Sequence, residues 1–134
     1  MRTLIALILL TVAGGASAAS ESPLNKRQAA VLERALLGKV PQAPVQCVAR
    51  DLLNDVEPIG DTILLYRLGP KRLYRNDLVG RCSALGPGSI PVIQRVGPDY
   101  CAGDVVRTVD RQSGRLRGGA CALGPFIAYR AREN

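Results

Sequence analysis

Residues 60–87 read GDTILLYRLGPKRLYRNDLVGRCSALGP, and residues 103–125 read GDVVRTVDRQSGRLRGGACALGP. Each stretch opens on Gly-Asp and runs through a short apolar segment into a turn. Each returns through Leu-x-Gly (Leu78-Val79-Gly80, Leu116-Arg117-Gly118), passes a cysteine and closes on Ala-Leu-Gly-Pro. The order of these elements predicts two β-hairpins of one design. Gly-Asp disfavours extension and starts the strand from a turn. Gly-Pro stops the return strand, because proline has no N–H to give a ladder. Neither hairpin can bury both faces alone, so the two are expected to pack on each other or share one curled sheet.

Outward from the hairpins the chain keeps the same grammar. TILLYR (62–67), RLYRNDL (72–78), IPVIQRV (90–96) and DVVRTVD (104–110) are short, rich in Ile, Leu, Val and Tyr, and bounded by Gly and Pro. LRGGACALG (116–124) is a glycine-weakened strand, and QCVARDLL (46–53) holds another candidate. In DVVRTVD, Val105, Arg107 and Val109 point one way and Val106, Thr108 and Asp110 the other, which predicts one wet face. The expected fold is mainly β: a small disulfide-stapled β-barrel or sandwich of five to six short antiparallel strands, preceded by one N-terminal helix. That helix is read over 25–37, with Asn25 and Gln28 as a capping box, Leu32, Ala35 and Leu36 on one face, and Gly38 at its end.

The first residues predict export. Met1-Arg2, the apolar run Leu4 to Val12 and the small-x-small site Ala16-Ser17-Ala18 have the form of a secretory signal cleaved after Ala18. The run is too short to span a bilayer, and no later stretch is long and apolar enough to do so. The expected organisation is a signal peptide at 1–18, a helix and Pro-containing linker at 19–46, and a β domain at 47–134, periplasmic or secreted.

Four cysteines, Cys47, Cys82, Cys101 and Cys121, follow the signal, and an even number in an exported chain reads as two disulfides. With no histidine and no C-x-x-C, a metal site would need four scattered thiolates, so no metal or cofactor is expected. Exchanging the two hairpin units leaves all three connectivities possible. Residues 83–100 hold one strand between two turns, which favours Cys82–Cys101. Cys47–Cys121 would then staple the ends of a barrel.

The chain carries 18 Lys and Arg against 11 Asp and Glu, a net charge of +7, with 15 of the cations arginine. That balance favours an anionic envelope polymer or an acidic protein as partner, while nucleic acid fits the charge but not the compartment. The densest basic stretch, 66–81, holds Arg67, Lys71, Arg72, Arg75 and Arg81 against Asp77. These five cations are the candidate binding site for an anionic partner, with Lys71 and Arg72 at the hairpin tip. Depending on register, Tyr66 faces Tyr74 or Arg75; an arginine over a tyrosine ring would hold its planar fork ready for carboxylate or phosphate. The competing structural reading is that edge hairpins carry Lys and Arg to block association.

Catalytic sets are thin. Without histidine, Ser-His-Asp and Cys-His arrangements are excluded, and oxidised cysteines offer no thiolate. No phosphate-cradling G-x-x-x-x-G-K loop occurs. No tryptophan, four tyrosines and one phenylalanine give little for stacking sugars or bases. Asp51, Asp61, Asp104 and Asp110 are spread out and form no calcium loop.

The core resembles a family of uncharacterised exported proteins of Gram-negative bacteria, classed as a domain of unknown function. The likeness lies in Cys47 with Arg50-Asp51, Gly60-Asp-Thr-Ile-Leu-Leu, the Tyr74 strand leading to Asp77-Leu78 and Cys82, then Cys101-Ala-Gly-Asp-Val and Cys121, and covers about residues 47–127. The resemblance implies export and a compact disulfide-bearing β domain, and it supplies no activity and no catalytic residues. The expected function is a non-enzymatic β domain that binds or structures something in the cell envelope. The alternatives are a small inhibitor of an envelope or foreign hydrolase, using the loop GPGSIP (86–91), and an enzyme working through paired aspartates.

Overall fold

Ile63, Leu64, Leu65 and Tyr66 are all buried. TILLYR therefore shows no alternation because its strand is covered on both faces, as continuous apolar runs require. Ile63 and Leu65 pack under a helix, while Leu64 and Tyr66 face a second sheet. The structure, a computed structural model, describes residues 24–133, so the predicted signal peptide lies outside the described residues.

The elements run α1 (Lys26–Leu36), β1 (Lys39–Pro41), β2 (Cys47–Val48), a 3-10 turn (Arg50–Leu52), β3 (Asp55–Ile59), β4 (Ile63–Arg67), β5 (Arg72–Asp77), β6 (Ser89–Gln94), β7 (Tyr100–Cys101), β8 (Val105–Asp110), β9 (Leu116–Ala122) and β10 (Phe126–Ala131). They form a five-stranded sheet in the order β1-β10-β5-β4-β3, a three-stranded sheet β6-β8-β9 and the two-stranded ladder β2-β7, all antiparallel. The fold is mainly β with one preceding helix, as expected. Its described strands number ten rather than five to six, and they form packed layers and no closed barrel.

The helix starts where its capping box predicts. Asn25 Oδ1 accepts from the Gln28 N–H at 2.9 Å, and Gln28 Oε1 accepts from the Asn25 N–H at 3.0 Å. Its inner face packs Ala35, with Val31, Leu32 and Leu36, on Ile59, Ile63, Leu65 and Leu73. Lys39 Nζ donates to the Ala35 carbonyl at 3.0 Å and so satisfies one of the last-turn acceptors. The stretch read as a linker is part of the sheet: Lys39–Pro41 pairs with β10, and Val45 exchanges hydrogen bonds with Phe126 at 2.8 and 2.9 Å. Segments 19–46 and 47–134 thus share one sheet. Pro41 on β1, Pro58 on β3 and Pro91 on β6 all lie on edge strands, where a missing N–H leaves no ladder bond unmade.

The two repeated stretches are two hairpins, β4-β5 and β8-β9. Each is extended by a strand that follows a unit. β10 follows the second unit and pairs with β5 of the first, and β6 follows the first unit and pairs with β8 of the second. The alternation in DVVRTVD is as expected: Val106 and Thr108 are buried, while Val105 is exposed and Arg107 and Val109 are half-buried. β9 bulges beside Arg107, since Val106 pairs with Cys121 but Thr108 with Arg117. Gly118 in that bulge has φ +65°, and a Cβ there would come within 2.9 Å of Ala84 Cβ and Ser83 Oγ.

The disulfides correct the expected pairing. Cys82–Cys101 and Cys47–Cys121 do not form; the bonds are Cys47–Cys101 and Cys82–Cys121. Cys47 lies directly opposite Cys101 on β2-β7, because the arm leading from β1 runs beside residues 100–102, where Gln46 O accepts from the Ala102 N–H. Cys82 and Cys121 meet because Val79 and Ala122 exchange backbone hydrogen bonds at 2.8 and 3.0 Å, joining the ends of the two return segments. Each bond therefore links corresponding cysteines of the two units. Two such bonds indicate an oxidising compartment. Among the described residues no helix is long and apolar enough to cross a membrane.

Candidate functional site

The five predicted cations divide according to strand register. β4 pairs with β5 so that Tyr66 stands opposite Tyr74 and Leu65 opposite Arg75. Arg75 therefore points to the helix side, away from the Tyr66 ring, contrary to one of the two expected arrangements. There it forms a fork with Asp77, two residues along the same face, at 2.7–3.0 Å. Burial works against its charge, but hydrogen bonding and charge from Asp77, with Tyr129 adding to both, hold the guanidinium above its ordinary value. Arg67 binds Glu57 of the neighbouring strand at 2.6 Å, and Arg81 binds Asp61 at 2.6 Å. These three arginines brace the hairpin with ion pairs at its surface, each worth at most about 1 kcal/mol.

Lys71 and Arg72 remain at the hairpin tip, exposed, with no carboxylate partner among the described residues. The fold adds Arg130, which the sequence reading did not place there. β10 lies antiparallel to β5 with Arg130 directly opposite Arg72. Opposed residues on neighbouring strands have Cβ atoms about 5 Å apart, and like charges at that spacing destabilise the pair. Both arginines are exposed and stand on the face that carries Tyr74 two residues inward. The Ala131 N–H donates to the Lys71 carbonyl at 2.9 Å, which closes β10 against the tip.

Two depressions adjoin Arg72, and the smaller of them reaches Arg130. One of ≈ 450 Å³ is lined by Lys39, Asp55, Arg67, Pro70 and Arg72, and a smaller one by Arg72, Tyr74, Ala128 and Arg130. The site is thus a cationic rim of Arg72, Arg130 and Lys71, with Lys39 nearby and Asp55 as its one local acid. It can hold an oxyanion between two guanidinium groups, each presenting a planar fork. Its sequence signal was the short apolar run Phe126-Ile-Ala-Tyr leading to Arg130 after a Gly-Pro stop.

Among the described residues no group of three or more Cys, Asp or Glu side chains is placed to hold a metal ion. Comparison with protein-family models, with curated proteins and with solved structures finds no match to this chain.

Proposed function

We propose that this chain is an exported, non-enzymatic β module, periplasmic or secreted, that binds the phosphate or carboxylate groups of an anionic envelope polymer through Arg72 and Arg130. The observation that carries the reading is the arginine pair, opposed across two strands, neither member of which is ion-paired with a carboxylate among the described residues. An anion bridging the two guanidinium groups removes their repulsion and gains charge-assisted hydrogen bonds. A chain without histidine, in which all four cysteines are bonded, supports binding over chemistry. The predicted signal and the resemblance to uncharacterised exported proteins of Gram-negative bacteria support export.

The test is retention on immobilised phosphate-bearing and carboxylate-bearing polysaccharides at low and high salt. Retention is expected to fall with salt, and to fall about tenfold or more in Arg72→Glu with Arg130→Glu. Arg34→Glu, an equal change of charge per site on the helix, should leave most of it. Equal loss in Arg34→Glu, or retention that ignores salt, removes the reading.

One observation favours a second reading, inhibition of a hydrolase. The stretch expected as a loop at 86–91 is a turn at 86–88 running into β6, since residues 89–91 pair with β8. The turn is tied by Ser89, whose Oγ accepts from the Gly86 N–H at 2.9 Å and donates to the Gly86 carbonyl at 2.7 Å. A prefolded loop loses little entropy on binding. Recovery of one stoichiometric hydrolase on the immobilised chain, abolished by Ser89→Ala, would favour it.

A further inference from the structure

We propose that the outer face of the β6-β8-β9 sheet is a second binding surface, which takes an extended acidic–apolar protein segment and seats one of its carboxylates on Arg107. The face is separate from the Arg72–Arg130 rim. Ile90, Val109 and Leu116 form one row across the three strands; Val92 stands opposite Arg107; Val105 completes the patch. Ile90, Val92, Val105 and Leu116 are exposed, at 38%, 43%, 37% and 65%. Ile90, Val92 and Val105 are open to solvent to a similar degree and Leu116 more so, so a broad, flat partner covers them better than a narrow molecule seated in a cleft.

Size alone does not make this a site. Three strands about 4.8 Å apart and six residues long give a footprint of roughly 300 Å², which is within the range of the largest patch on an ordinary monomer. The mark of function is Arg107. It is a guanidinium at the centre of an apolar patch, and among the described residues it has no ion pair and its buried Nε has no hydrogen-bond partner. A buried unpartnered donor is a cost that folded proteins seldom carry without cause. A carboxylate brought in by a partner would answer the charge, and β-branched neighbours on that partner would cover the valines.

Charge decides between occupants. A second copy stacked face to face would set Arg107 near Arg107, which repels. The adjoining hairpin turn adds Arg111 and Arg115, both exposed and without a carboxylate partner among the described residues. An acidic segment complements all three. The footprint is less than half of the roughly 800 Å² per partner of a standard protein interface, so the occupant is a short segment held transiently rather than a permanent subunit.

The probe is a capped peptide alternating valine and glutamate, titrated into the isotopically labelled, disulfide-bonded chain and followed by NMR. Its glutamine counterpart and oleate-containing vesicles serve as comparisons. The expected result is shifts confined to Ile90, Val92, Arg107, Val109 and Leu116. The glutamine peptide, and Arg107→Leu with the acidic peptide, should each bind about tenfold more weakly. Arg107→Leu should also fold with an undiminished melting temperature, since it removes an unpartnered donor. Equal binding of the glutamine peptide, shifts centred elsewhere, or a lowered melting temperature in Arg107→Leu would overturn the proposal. So would a response to vesicles but not to peptide, or dimerisation through this face without peptide binding.

Discussion

Asn76 and Gly124 are joined by a reciprocal pair of hydrogen bonds across 48 residues of chain. Asn76 Nδ2 donates to the Gly124 carbonyl at 2.8 Å, and Asn76 Oδ1 accepts from the Gly124 N–H at 2.9 Å. Asn76 is fully buried, and a Cβ on Gly124 would collide with the Asp77 carbonyl. The side chain replaces one rung of backbone ladder and ties the close of the second repeated stretch to the return strand of the first. Asn76→Ala strands two buried backbone groups and should cost roughly 3 kcal/mol in urea unfolding. Asn76→Asp should cost at least as much, because an ionised carboxylate cannot donate to Gly124 O. A loss below about 1 kcal/mol in both would show that the pair is not a structural tie.

Two other polar groups have the opposite character. The Tyr66 hydroxyl and the Thr108 hydroxyl are buried with no hydrogen-bond partner among the described residues. Burial, with some contribution from Tyr100, pushes the Tyr66 phenol well above its ordinary value. Tyr66→Phe and Thr108→Val remove unsatisfied groups at nearly constant shape, so each is expected to be neutral or to stabilise by up to about 1 kcal/mol. Thermal unfolding of the two variants checks this, and a clear drop in either would reveal a hydrogen bond that the geometry lacks.

The disulfides differ in setting more than in loop length. Their sequence separations are 54 and 39, which the chain-entropy account turns into about 4 kcal/mol each. Cys82 and Cys121 are core residues, however, while Cys47 is exposed. Replacing both members of the 82–121 pair by alanine should therefore cost about 1–2 kcal/mol more than the same change at 47–101, through lost packing. Under limiting reductant, alkylation mapped by mass spectrometry should label Cys47 and Cys101 first. Earlier labelling of Cys82 would contradict this order.

Arg130→Glu should do two things at once. Opposite Arg72, a glutamate converts a repulsive cross-strand pair into an attractive one and should stabilise the fold by about 0.5 kcal/mol at low salt. The same change should weaken retention on anionic polymer. A variant that loses both stability and retention would point to a packing role for Arg130.

The second hairpin turn is predicted to loosen in acid. Asp110 lies below the usual carboxylate range because it accepts from the Ser113 N–H and hydroxyl and from the Gln112 N–H, with Arg117 beside it. Its support is complete above the unfolded aspartate value, about 3.9, and is lost as pH falls through the lower folded value. Amide shifts of Gln112 and Ser113 should report that loss below about pH 4. Asp110→Asn should flatten the response, and an unchanged titration in that variant would assign it to another group.

Much of the fold was legible where local chemistry decides. The Asn25–Gln28 box, the Gly60-Asp61 and Gly103-Asp104 turns and the alternation in 104–110 each carry their own instructions. The strand at 55–59 was not legible, because Pro58 reads as a break until its place on a sheet edge is known. The strand at 126–131 was missed because the repeat ends at Gly-Pro just before it. The cysteine pairing depends on which return segment meets which, and spacing along the chain holds no information on that. Within the candidate site, Arg75 and Asp77 could be matched by the two-residue period. Arg67 with Glu57, Arg81 with Asp61 and Arg72 with Arg130 needed the register of strands far apart in sequence.

The place of β10 between β1 and β5 sets an order of events for the growing chain. Residues 39–41 have no ladder until 129–131 arrive, and the first hairpin lacks its outer neighbour until then. Such long-range closure is slow compared with forming a local turn. A polypeptide threaded through a translocation channel from its amino end would stay pliant until nearly all of residues 24–131 had crossed, and would then set as one piece on the far side.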